Sequence, residues 1–320
     1  MTHSLTDYAD RRVLFFSGKG GTGKTIASAA LAAQCAAAGK RTLWIELTEN
    51  PRGHYLFQGY QPAYNPQEIR PQLWAMNLRF RPAVEEYLEL VFRVRWLSRR
   101  IAGNQLFRIF TDTLPGLYAL VVLGKVWHES EEMENGKPLW DQIIVDMPAT
   151  GHGLVLFQLP GAALDIVPSG PVAERTHDID NMLRDADRTG IVVVTLLEKL
   201  AVDESLEMIE SLQRHTAYPL RGLVANCVFP DIGGDERERF RSWLEGGNDS
   251  AIAKALPDPL EEGFKARMRW MARRFDDQQP LRERLTELEA PLADLPWCPG
   301  NRDDRVLQSL LTHVGGGSRP

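Results

Sequence analysis

Ten residues, Phe16-Ser17-Gly18-Lys19-Gly20-Gly21-Thr22-Gly23-Lys24-Thr25, constrain this 320-residue chain more than any others. They fit the frame Gly-x-x-x-x-Gly-Lys-Thr, in which glycines let successive backbone N–H groups curl around a phosphate at the start of a helix. Such a loop needs a strand before it and a helix after it. Val13-Leu14-Phe15-Phe16 reads as a buried strand and Ile26 to Ala38 as an alanine-rich helix, so the context is present. The nucleotide-binding candidates are therefore Gly18, Lys19, Gly20, Gly21, Thr22, Gly23, Lys24, Thr25 and Ile26. Lys24 would reach the β- and γ-phosphates of ATP, or the β-phosphate of ADP, and the Thr25 hydroxyl would coordinate Mg²⁺.

Further apolar runs predict strands over Thr42 to Leu47, Leu73 to Leu78, Ile143 to Asp146, Ile191 to Leu197 and Leu223 to Cys227. Helical segments separate most of them, as in parallel strands joined by crossovers and covered on both faces. The expected fold is α/β: a doubly wound, mostly parallel P-loop NTPase sheet with the nucleotide at the carboxyl ends of the strands. The rhythm breaks at about residues 80–135, where Val84, Tyr87, Leu88, Val91, Phe92, Val94 and Leu97 recur at helical spacing. This reads as a helical insertion subdomain. Its run Leu117 to Leu123 serves either its own core or an exposed groove; Arg93, Arg95, Arg99, Arg100 and Arg108 supply charge. Residues 231–296 read as charge-rich helix, with a domain over 12–314 and flexible ends at 1–11 and 315–320.

The net charge of −6 argues against nucleic acid as a main partner. Cys35, Cys227 and Cys298 are far apart and form no CxxC pair, so neither zinc nor a disulfide framework is expected. The start, MTHSLTDYADRR, has no apolar signal core, and no apolar run approaches the roughly 20 residues of a bilayer span. A cytoplasmic protein is expected, peripheral at a membrane only through a partner.

Two motifs carry a family resemblance. Lys19 is a second lysine in a loop that needs one, and the string GKGGTGKT resembles the deviant Walker A motif of the MinD, ParA, nitrogenase iron protein and arsenite-pump class. The resemblance implies a dimer closing around ATP, with Lys19 reaching the partner's nucleotide. Asp146 ends a strand where a carboxylate can hold Mg²⁺ through its water shell. It opens DMPATGHGL, which resembles the switch segment DxxPTGHxL of the arsenite-pump and guided-entry (GET) ATPase family with its proline displaced by one position. The segment from Leu196 to Ser205 is similar to that family's strand-to-helix segment. Val224-Ala225-Asn226-Cys227 and Leu295 to Pro299 resemble its adenine-recognition strand and late loop, which implies Asn226 and Pro299 near the base.

The departures bear on mechanism. Where the targeting ATPases carry Asp-Pro-Ala-His after strand two, with an aspartate for the attacking water, this chain has Glu46-Leu47-Thr48-Glu49-Asn50-Pro51-Arg52-Gly53-His54. Neither Thr48 nor Asn50 can act as a carboxylate base, so hydrolysis uses Glu46 or Glu49, proceeds slowly, or fails. Without clustered thiolates there is no case for arsenite as ligand. The reading that follows is a Mg-ATP-dependent homodimeric or heterodimeric switch that binds a hydrophobic client protein or membrane partner. Its rivals are a MinD/ParA-like positioning ATPase, a hydrolysis-poor regulatory subunit paired with an active paralogue, and a small-molecule kinase.

Overall fold

The computed structural model describes residues 3–84, 86, 115–148, 153–166, 168–232, 237–247, 258–299 and 303–314. The chain runs through β1 (Val13–Ser17), α1 (Lys24–Ala37), β2 (Thr42–Glu46), α2 (Gly53–Leu56), β3 (Gln67–Arg70), β4 (Leu73–Asn77), α3 (Pro115–Glu131), β5 (Met133–Glu134), β6 (Lys137–Pro138) and β7 (Gln142–Asp146). It continues through α4 (Gly153–Ile166), α5 (Pro171–Arg184), β8 (Thr189–Leu196), α6 (Lys199–His215), β9 (Leu220–Val228), α7 (Arg237–Leu244), α8 (Asp258–Thr286), β10 (Leu292–Pro296) and α9 (Asp303–Val314). Eight strands form one sheet in the order β10-β9-β8-β1-β7-β2-β4-β3. Every neighbouring pair in it is parallel except β3 with β4. This is the α/β architecture the sequence predicts.

The central strand β1 shows why both faces are covered. Val13 and Phe15 face one core, with apolar residues of α3, α4, α5 and α6; Leu14 and Phe16 face the other, with α1, α2 and α9. Alternation of side chains along a strand makes one apolar run serve two layers. On the second face Ala27, Ala29, Ala30, Ala32 and Ala33 of α1 are buried. Alanine has no side-chain entropy to lose there, so the helix beside the phosphate loop is ordered at little cost.

The insertion is partly accounted for. Val121, Val122, Leu123 and Val126 of α3 are buried in the first core and Leu120 is buried beside them in the chain, so this stretch of the apolar run is core and not groove. Lys125 lies between Glu86 at 2.8 Å and Glu129 at 2.9 Å, and Glu129 also accepts the Trp140 indole N–H at 3.0 Å. The two carboxylates raise the Lys125 ammonium above its ordinary value despite burial. Residues 85 and 87–114, including Arg93, Arg95, Arg99, Arg100 and Arg108, lie outside the described residues, as does the tail 315–320.

Two sequence expectations are corrected, and one edge strand joins the sheet without having been expected. The described part of the stretch 1–11 is not loose: Leu5–Tyr8 forms a 3-10 helix, and Leu5 and Tyr8 are buried. The Tyr8 hydroxyl donates to Leu223 O at 2.6 Å and lies 3.0 Å from Pro291 O, tying the N-terminus to β9 and the approach to β10. The helical reading of 231–296 misses β10, whose Leu292, Ala293 and Leu295 are buried against β9. Two flanking prolines and Asp294, which pairs with Arg282, disguise so short an edge strand. The antiparallel edge strand β3, exposed along half its length, carries no apolar run to announce it.

Candidate active site

The loop after β1 is shaped by close packing. Gly23 caps α1 at φ +91°, and a Cβ there would stand 2.0 Å from Asn226 Nδ2. Only glycine tolerates both the left-handed backbone and that approach. Asn226 is buried at the carboxyl end of β9 and donates its amide N–H to Thr22 O at 2.9 Å. It therefore braces the phosphate loop from β9, with β8 lying between that strand and β1. Pro299, the other adenine expectation, is exposed and does not line the cavity over the loop.

That cavity, of about 420 Å³, brings together Gly21, Gly23, Lys24, Thr25 and Ile26 with Glu46, Asp146 and the loop residues Thr48, Asn50 and Arg52. Gly18, Lys19, Gly20 and Thr22 shape the loop but do not line it. Lys24 Nζ donates to Lys19 O at 2.7 Å, and Thr22 Oγ1 donates to the same carbonyl at 2.9 Å. Burial lowers the Lys24 pKa and the Asp146 charge opposes that shift. The Lys19 ammonium itself pairs with Glu204 of α6 in the same chain.

Strand register builds the acidic side. Asp146 sits opposite Phe16 of β1 and opposite Glu46 of β2, placing two carboxylates side by side at the carboxyl ends of three strands. Thr25 Oγ1 donates to Asp146 Oδ2 at 2.6 Å, while Asp146 Oδ1 is buried without a partner. Burial, and then the charge of Glu46, push the Asp146 carboxyl up to about 7 against the Thr25 hydrogen bond and Lys24. A buried, unpartnered carboxylate oxygen beside a hydroxyl is a donor set suited to Mg²⁺, a hard oxygen-seeking cation. With Lys24 and the helix N-terminus beside it, the site fits a Mg-nucleotide.

The two candidate water activators separate. Glu46 is fully buried, and its Oε1 accepts the N–H groups of Arg52 at 2.7 Å and Gly53 at 2.9 Å; its Oε2 is buried without a partner. Burial raises its pKa and those two hydrogen bonds oppose the rise. A Cβ on Gly53 would meet Glu46 Oε2 at 2.6 Å, so this glycine permits the fold-back. Glu49 accepts the Phe80 N–H at 3.3 Å and does not line the cavity. Residues 149–152, with Thr150 and His152 of the switch segment, lie outside the described residues. Among the described residues, Cys35, Cys227 and Cys298 are free and no three His, Cys, Asp or Glu side chains cluster as metal ligands.

Residues 11–167 match the family model described as anion-transporting ATPase. The chain carries an anion-transporting ATPase domain. The stretch matched contains the phosphate loop, both carboxylates and α3. Similarity to curated relatives extends further. The chain is 28% identical to ATPase BagA of Mycobacterium tuberculosis over 93% of this chain and 91% of that protein. It is 22% identical to ATPase GET3C of Arabidopsis thaliana over 81% of this chain and 80% of that protein. It is 28% identical to an arsenical pump-driving ATPase of Escherichia coli over 78% of this chain but 44% of that protein. No described helix is long and apolar enough to cross a membrane.

Proposed function

We propose that this ATPase is a molecular switch: two copies, or one copy and a paralogue, close around Mg-ATP, and the closed state alters binding of a hydrophobic client protein or membrane partner. The single observation that carries the nucleotide half is Asp146, hydrogen-bonded to Thr25 through one oxygen and unpartnered at the other, beside Lys24 in the cavity. When bound by Thr25 and Asp146, Mg²⁺ would draw charge from the β- and γ-phosphates. The chain's own groups do the rest. Backbone N–H groups of Gly18 to Thr25 hold the phosphates, Asn226 keeps Thr22 in place, and Lys24 exchanges the Lys19 carbonyl for phosphate oxygens. Lys19 supplies the charge that crosses to the second subunit, and Asn226 and Pro299 flank the base. The switch acts in the cytoplasm, reaches a membrane only through its partner, and binds neither nucleic acid nor zinc.

A second reading, a regulatory subunit with little turnover, is favoured by one observation: the carboxylates at the end of β2 and in the loop after it are otherwise engaged. Glu46 holds two loop N–H groups and Glu49 faces Phe80 N–H, while Thr48 and Asn50 line the cavity. Single-turnover hydrolysis by purified protein, set against Lys24→Ala, separates the readings. Phosphate release well above that of the variant supports the enzyme; equal background release with ATP binding intact supports the regulatory subunit.

A further inference from the structure

We infer that Arg52 is a phosphate-clamping residue contributed in cis, contacting the terminal phosphate of the bound nucleoside triphosphate and supplying positive charge where the chain lacks an acidic water activator; this rests on the ATPase reading above. Three observations converge. Arg52 lines the same cavity as Lys24, Thr25 and Asp146. Its guanidinium forms no ion pair or hydrogen bond with any described residue, although Asp303 lines the same cavity from the start of α9. Other arginines of the described chain do pair with carboxylates, among them Arg175, Arg184, Arg221 and Arg282.

The third observation concerns the backbone. Pro51 precedes Arg52, the Arg52 N–H is held at 2.7 Å by the fully buried Glu46 carboxylate, and the Gly53 N–H is held at 2.9 Å by the same oxygen. Arg52 is also the residue from which α2 begins, with φ −112° and ψ −6°. The side chain is exposed, but the point it swings from is fixed at the cavity rim. That assigns Glu46 a role as well: it is a positioning residue that sets the loop from beneath, and Gly53 is glycine because a Cβ would collide with that carboxylate. A planar, permanently charged fork suits non-bridging phosphate oxygens, and a cation aimed at charge that grows in the transition state accelerates transfer without accepting a proton.

The test compares wild type, Arg52→Ala and Arg52→Lys for the affinities of ATP and ADP, each with Mg²⁺, and for single-turnover hydrolysis. Arg52→Ala is expected to weaken ATP about tenfold or more while leaving ADP within about twofold, and to slow hydrolysis by at least about tenfold. Arg52→Lys should restore part of the ATP affinity and less of the rate, because it returns the charge without the fork. Equal losses for ATP and ADP, or an unchanged ATP-to-ADP ratio and rate in Arg52→Ala, would overturn the assignment while leaving the ATPase reading intact. Failure of the wild-type protein to bind either nucleotide would overturn both. Melting temperatures of the three proteins within a degree or two of one another would show that the exposed position changes function and not folding.

Discussion

Asp146 carries opposed demands in one side chain. Its carboxyl is buried and raised to about 7, so between its ordinary value of 3.8 and about 7 the folded protein binds a proton that the unfolded chain releases. Stability is then lost as pH rises through that window. Asp146→Asn removes the ionisation, and without nucleotide the variant should melt above wild type at pH 8, by an amount on the order of 2–4 kcal/mol, with the gap closing toward pH 4. The same variant should lose Mg²⁺-dependent ATP affinity; identical melting at both pH values would refute the account of its burial. Gly23→Ala meets both a left-handed backbone and Asn226 Nδ2, and should cost about 1–3 kcal/mol in denaturant unfolding and abolish ATP binding in titrations. These residues were legible in sequence because a phosphate loop is local: spacing alone assigns Gly23, Lys24 and Thr25. Asn226 as a brace was not, since it holds a carbonyl 204 residues away. Glu46 could be read as a strand-end acid, but its engagement by Arg52 and Gly53 follows from a loop path that no periodicity encodes.

Among the elements, the strands with continuous apolar runs were visible, and those that earn their place by pairing at an edge were not. β10 is held by β9 and by the Arg282–Asp294 pair, and β3 by β4, with Ile69 packed on the second core and Arg70 over the Phe57 ring. The N-terminal 3-10 helix belongs to the same group, because its polar sequence hides two anchors, Leu5 and Tyr8. Tyr8→Phe would leave the Leu223 carbonyl without its side-chain donor and should cost about 1–3 kcal/mol, read as a fall of several degrees in melting temperature. Deleting residues 1–9 should cost more, since two buried apolar side chains leave as well. A deletion that left melting unchanged would restore the flexible reading of that segment. In α3 the sequence marked the apolar face correctly but left its use open. The buried Val121, Val122, Leu123 and Val126 supply the answer for the described part of that helix.

At the scale of the whole molecule, one sheet gathers the carboxyl ends of β1, β2, β7 and β9 around the phosphate loop, so residues from both sides of the central strand meet there. Lys19 stands at the edge of this assembly and is held in cis by Glu204. The proposed closure of two subunits through Lys19 would require that pair to open. A half-exposed ion pair contributes at most about 1 kcal/mol, so Glu204→Gln should lower the ATP concentration needed for dimerisation by no more than about fivefold, as read by light scattering across an ATP titration. No change, or a higher requirement, would show that Glu204 does not restrain Lys19. The two-subunit switch itself is tested most directly by the solution mass of wild type and Lys19→Ala, each with and without ATP and Mg²⁺. The account predicts that ATP with Mg²⁺ doubles the mass of wild type, or of the chain mixed with its paralogue, and leaves Lys19→Ala unchanged. A mass indifferent both to nucleotide and to Lys19 would contradict it.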